Sequence, residues 1–271
     1  LCEMAYILAN ELNIGSEQLA ITITHGAFGS HLGIAFPDES KHLKIMHLAW
    51  HNTLRVESQP DPDTIWLYSI LNIPPISSMQ AVALIRGMIE KYENGSTEAN
   101  IEYGINLIAG QGAIMSDGTY NPGADCDGFT CASIIAAIFS HIGLPIADLS
   151  KWPSTNKNRI WGRAIVCMLQ ALQASPEHVA KVSSNISGLR LRPEEFAAAA
   201  EMPFTSWPVQ YSEVQDRADE SSGLILNDSG QRPPMGRSCG HCVITYREET
   251  ARYEEEARVK NATATDEKSN E

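Results

Sequence analysis

Apolar residues recur with two different periods along the chain, and turn residues mark where one period gives way to the other. "QLAITIT" at 18–24, "HLGIAF" at 31–36 and "LKIMHLAW" at 43–50 are separated by turns containing Gly or Asp, which predicts three strands of a small antiparallel sheet. Residues 1–12 space their apolar positions roughly as a helix does and end near Gly15, so a short helix is expected there. "PDPD" at 60–63 breaks the chain. "SSMQAVALIRGMIEKYENG" at 77–95 then opens on serines suited to N-capping, repeats apolar residues at helical spacing and stops at Gly95.

After a Gly-rich passage, "CDGFTCASIIAAIFSHIG" at 126–143 becomes almost wholly apolar and closes at Gly143 with Pro145 beyond it. A helix of that composition is buried on most sides. Further helices are expected over 157–173 and 193–202. Strands followed by helices give an α+β class, with the small sheet packed against the apolar helix. From about 203 the chain is rich in Pro, Ser, Gly and Asp, and beyond 246 it becomes a charged tail expected to fray into disorder. The expected organisation is a main domain over 1–175, a helical and irregular extension over 176–245 and the tail over 246–271.

Composition narrows the classes of partner. The 271 residues carry a formal net charge of −13, which argues against binding a phosphate backbone, so no nucleic-acid partner is expected. No run of about 18 apolar residues predicts an integral membrane segment. The opening "LCEMAYILANELNIG" carries acids where a secretory signal carries basic residues, and a cytoplasmic setting is the expectation. Six cysteines are too few for a disulfide scaffold in a chain of this length. Cys239 and Cys242 in "SCGHC" have the spacing of a redox dithiol but lack its strand-then-helix context, and with His241 they lack a second ligand pair for zinc. No metal or organic cofactor is expected.

The chemistry is concentrated where the apolar helix begins. Unpaired N–H groups of a first helical turn, and the positive end of the helix dipole, stabilise a thiolate and can cradle an oxyanion. A nucleophilic thiol also needs a base, and the base an orienting group. Two thiols compete for the place: Cys126 in "DCDGF" and Cys131 in "GFTCASII". Two histidines on adjacent strands, His31 and His47, are candidate base and orienter. His51 is the alternative third residue, because in one continuous strand it would face the same side as His47. His25 could line the mouth of a cleft, while His42, His141 and His178 are assigned to surface or helix packing, and Trp50, Trp66, Trp152 and Trp161 to the core.

"SHLGIAF" followed by "KIMHLA" resembles the histidine hairpin of the NlpC-type papain-like amidases and of the related lecithin:retinol acyltransferase family, with His31 and His47 at the matching places. The cysteine follows the histidines by a hundred residues, the order of the circularly permuted branch. Over about 18–150 the resemblance implies a permuted papain-like fold. "DCDGF" imitates the nucleophile signature of unpermuted relatives and favours Cys126. "GFTC" resembles some permuted members, and the length from Cys131 to Gly143 matches the cysteine helix of the relatives, so Cys131 is preferred. Relatives also use a tyrosine near the site, and Tyr103 and Tyr120 both remain open for that place.

The expected activity is a cysteine hydrolase (amidase, peptidase or thioesterase-like) passing through a covalent thioester, acting on an amide, isopeptide or thioester bond. Lipid acyl transfer is the alternative chemistry, although the Asn-Cys-Glu nucleophile motif usual in the acyltransferases is absent. A non-catalytic binding module on the same fold is the alternative of a different class.

Overall fold

The alternating stretches form the centre of a larger antiparallel sheet. The computed structural model describes residues 7–8, 14–15, 18–26, 29–58, 66–92 and 100–218. Within these, β1 (Ile7–Leu8), β2 (Ala20–Gly26), β3 (Gly29–Pro37), β4 (Leu43–Trp50), β5 (Thr53–Glu57) and β6 (Leu67–Ile70) make one six-stranded sheet in the order β1-β6-β2-β3-β4-β5, with every pairing antiparallel.

The helix expected over 1–12 is corrected at the two of its residues that are described: Ile7 and Leu8 pair with Tyr68 and Leu67 of β6. A two-residue edge strand carries almost no periodic signal, and pairing across the sheet overrides local spacing. β5 and β6, at five and four residues, were equally short of signal.

Strand alternation assigns the faces. Ala20, Ala35, Ile45 and Tyr68 share one face and pack together with Trp66. By period two, His31 and His47 lie on that same face. Ile21, Ile23, Leu32, Ile34, Met46 and Leu48 point the other way and are almost fully buried as well. A sheet buried on both faces explains why β3 carries a near-continuous apolar run, Leu32 to Phe36.

The described residues fall into two units. The first runs to Pro153 and resumes at Leu189, so it takes in part of the stretch that the sequence reading set apart as an extension. It contains the sheet, α1 (Pro75–Tyr92), α2 (Cys131–His141) and α5 (Pro193–Glu201), and α2 and α5 both pack against β2 or β3. The second, Ser154–Gly188, pairs α3 (Asn156–Ala171) with α4 (Pro176–Ser184). A side chain at Gly162 of α3 would stand only 3.2 Å from the Ile186 backbone, so glycine permits that close approach. Residues 211–218 are helical. The tail from 246, and Cys239, His241 and Cys242, lie outside the described residues, and no helix among those described is long and apolar enough to cross a membrane.

Candidate active site

α2 begins at Cys131 because Thr130 caps it. Thr130 Oγ1 accepts the Ser133 N–H at 3.1 Å while Ser133 Oγ accepts the Thr130 N–H at 2.7 Å, a reciprocal capping box with serine in the place usually held by Glu or Gln. At the other end Leu144 N–H reaches Phe139 O and Gly143 N–H reaches Ser140 O, with Gly143 at φ +74°, the left-handed close of a Schellman motif. The helix therefore starts at the second cysteine and leaves Cys126 in the loop before it.

That loop is held by glycines. Residues 102–104 and 127–129 run so close together that a Cβ at Gly128 would stand 2.3 Å from Glu102 O and one at Gly104 2.1 Å from Asp127 O. Gly128 also adopts φ +114°, a backbone that side chains rarely tolerate. The Asp127 carboxylate accepts the Asn106 N–H at 2.8 Å. Cys126 is fully buried inside this lock, 3.8 Å from the Tyr120 hydroxyl and 3.9 Å from Gly128 O, to which its S–H donates.

The Cys131 sulfur meets different groups. Backbone N–H groups of Leu32 and of Ala132 and the Arg190 guanidinium favour its charged form, while Glu194 opposes. Burial outweighs these and pushes the thiol up to about 11. The depressed thiol that a helix start alone implies is thus corrected: with 5% of the residue exposed, desolvation is the larger effect.

Sheet geometry explains why Leu32 has an N–H to offer. Counting from the Gly26–Gly29 pair places Leu32 opposite Ile23 at a non-hydrogen-bonded position of the hairpin, so its N–H turns away from β2. On its other side the β3–β4 ladder ends at Ile34–Met46, and the strands part towards His31 and His47. His31 is thus the residue directly before the N–H that favours the Cys131 thiolate.

Both histidines stand at this parting. His31 Nε2 and His47 Nδ1 are 2.8 Å apart, and His47 Nε2 lies 3.0 Å from Glu57 Oε1. Trp66 lies beside both rings, at centroid distances of 6.0 and 5.5 Å. Burial first, then His47 and Arg55, hold His31 well below the usual histidine range. His31 and Cys131 accordingly rest as a neutral imidazole and a neutral thiol.

His51 does not take the third place. β4 bulges between Leu48 and Trp50, so the four-residue spacing from His47 no longer keeps one face, and His51 sits in the turn that follows. Its Nδ1 accepts the Tyr103 N–H at 3.2 Å, and Asn52 N–H donates to Ile101 O, so this turn anchors 101–103. Tyr103 stacks on Trp50 at 4.5 Å, and burial together with the nearby Cys131 raises its hydroxyl. Of the two tyrosines left open by the sequence, Tyr103 faces Cys131 and Tyr120 faces Cys126.

Three contributors had no sequence signal. Glu57 sits on a five-residue strand, and Arg190 and Glu194 belong to "LRLRPEE", far from the thiol in sequence. Ser30, next to His31, donates its hydroxyl to Glu194 and ties that segment to the mouth of β3. Only the register of β5 against β4, which pairs Ile45 with Glu57, could have pointed to the carboxylate. No group of three or more metal-ligating side chains occurs among the described residues. No protein-family model, curated protein or solved structure matches the chain.

Proposed function

We propose that the protein is a cysteine hydrolase of permuted papain-like type, with Cys131 as nucleophile, His31 as base and His47 as orienter. The observation that carries this reading is the ordered pair His31 Nε2 to His47 Nδ1 at 2.8 Å, next to Leu32, whose N–H favours the Cys131 thiolate. The second ring nitrogen of His31, Nδ1, makes no hydrogen bond among the described residues and is the one left for the thiol.

In this reading the proton passes as attack proceeds, because both partners rest neutral. Cys131 Sγ bonds to the carbonyl carbon while its proton moves to His31 Nδ1. The oxyanion is held by the Cys131 N–H at the helix start and by the Tyr103 hydroxyl. His31 returns the proton to the leaving amine or thiol, then takes one from water as it resolves the thioester to acid and free thiol. The substrate class, an amide, isopeptide or thioester bond, follows from the resemblance of "SHLGIAF" and "KIMHLA".

One observation favours a different class: Cys131 and His31 are only 5% and 8% exposed, as in a binding module that keeps the fold without catalysis. Incubation with a small activated thioester, followed by peptide mass mapping, separates the two. An acyl adduct on Cys131 that is absent from His31→Ala supports the hydrolase. An unmodified Cys131, in protein whose other thiols label normally, leaves the module.

A further inference from the structure

We propose that Glu57 is a positioning residue that fixes the tautomers of both histidines, so that His31 presents a bare Nδ1. The inference rests on the histidine pair of the proposed site and extends it by one member. A neutral imidazole has one N–H and one acceptor nitrogen, so two rings bonded to each other admit two opposite polarities. In one, His31 donates from Nε2 to His47 Nδ1. In the other, His47 donates from Nδ1 to His31 Nε2, and the His31 proton sits on Nδ1, where it cannot accept from a thiol. Nothing in the 2.8 Å separation itself chooses between them.

Glu57 chooses. A carboxylate only accepts, and Oε1 lies 3.0 Å from His47 Nε2, which must therefore carry the hydrogen. In a neutral His47, Nδ1 is then bare and accepts from His31 Nε2–H, and the His31 Nδ1 lone pair is left for the thiol. The geometry makes this a tight relay: 94% of the His47 side chain is out of solvent against 75% of the Glu57 side chain. Glu57 Oε2 is buried with no hydrogen-bond partner, so no second donor competes for the carboxylate. The other charged or titratable groups bearing on the pair are Arg55 of β5, which disfavours a cationic His31, and Tyr68 of β6, whose hydroxyl is raised by burial and by Glu57. Arg55 has only donors, and the buried Tyr68 hydroxyl makes no hydrogen bond to either ring. The role was invisible in sequence because a glutamate on an edge strand is ordinarily a solvated residue.

The test is the ¹⁵N spectrum of histidine-labelled full chain at pH 7.5, assigned with His31→Ala and His47→Gln. Both rings are expected to carry their hydrogen on Nε2. In Glu57→Gln, whose amide can either accept or donate, the two polarities mix, and the rate of Cys131 acylation falls at least about tenfold, the loss typical when a group that orients a reacting histidine is removed. A native His47 or His31 carrying hydrogen on Nδ1 overturns the proposal without any variant. So do unchanged tautomers in a folded Glu57→Leu, which has no acceptor to offer. Native Nε2–H tautomers that vanish in Glu57→Gln, combined with Cys131 chemistry indifferent to His31→Ala, uphold Glu57 and instead remove the pairing with the thiol.

Discussion

Cys126 and Cys131 stand five residues apart in one buried stretch, and their surroundings are opposite in kind. Around Cys126 the backbone offers a carbonyl, Gly128 O, 3.9 Å away, which takes the S–H. Around Cys131 the backbone offers N–H groups, from Leu32 and Ala132, with the Arg190 charge beyond, all of which favour the thiolate even though burial outweighs them. In the proposed reading, the sulfur that meets donors is the one suited to carry a negative charge, and the sulfur that meets an acceptor is packing. The contrast comes from where a helix starts, not from the local sequence, since "DCDGF" looks more like a nucleophile motif than "GFTCA" does.

The largest effect that can break this comparison is a swap of nucleophiles. Cys131→Ala is expected to abolish acyl transfer, a loss of at least about 10³-fold as for removal of a covalent nucleophile, with the folded state retained. Cys126→Ala is expected to keep the activity and to lower stability by about 1–2 kcal/mol, from the lost contacts of a fully buried sulfur. Turnover of an activated thioester and urea melts of both variants read the two quantities. If activity leaves with Cys126 and survives without Cys131, the donor-against-acceptor contrast is the wrong criterion.

Next in size is Gly128→Ala. It forces a side chain onto φ +114° and onto Glu102 O at 2.3 Å, and is expected to cost about 3 kcal/mol or more. Because Gly128 lies between the cysteines, the variant should loosen both, with Cys126 alkylated as readily as Cys131. A melt within about 1 kcal/mol of the wild type would show that the lock between 102–104 and 127–129 is softer than described.

The pH dependence of stability sharpens the contrast from another side. With the Cys131 thiol raised to about 11, the folded state keeps its proton where the unfolded state has lost it. Stability therefore falls as pH rises from about 9 towards 11, by an amount on the order of 2–3 kcal/mol, and Cys131→Ala should flatten that limb. His31 acts at the other end: its depressed imidazole leaves the unfolded state with more protons below about 6.5, so stability also falls as pH drops, and His31→Ala should relieve it. Chemical denaturation at pH 5, 7.5 and 10 tests both limbs. Equal alkaline slopes in wild type and Cys131→Ala would contradict the buried neutral thiol.

The parts legible in the sequence were those with a repeated signal. β2, β3, β4, α1 and α2 all stand close to the stretches marked by apolar periodicity, and α2 starts at Cys131 as its length to Gly143 suggested. His31 and His47 were paired from two short motifs, and the structure sets them 2.8 Å apart. What escaped lacked period or lay far away along the chain. Glu57 and Tyr68 ride on strands of five and four residues, too short to show alternation. Arg190 and Glu194 approach the thiol only because the chain returns to the first unit at Leu189. His51 shares a face with His47 only in one continuous strand; a single bulge residue, Ala49, resets every side chain beyond it, and a bulge leaves no mark in a hydrophobic pattern.

The smallest predicted effect bears on the helix start itself, which is the whole difference between the two thiols. Thr130→Ala removes the acceptor for the Ser133 N–H and should cost about 1 kcal/mol, while Thr130→Ser, which keeps an oxygen in place, should cost a few tenths. Ser133→Ala removes the reciprocal bond to the Thr130 N–H, together with the Ser133 Oγ contacts to Thr130 Oγ1 and O, and tests the other half of the box. Since Cys131 is the first helical residue, a frayed first turn spoils the N–H array that faces the sulfur and the oxyanion, so acylation should fall more than the melt does. Cys126, anchored by Gly128 and Tyr120 before the cap, should label at its wild-type rate. If both cysteines change together in Thr130→Ala, the stretch 126–134 moves as one piece, and the helix cap is not what separates a packed sulfur from a poised one.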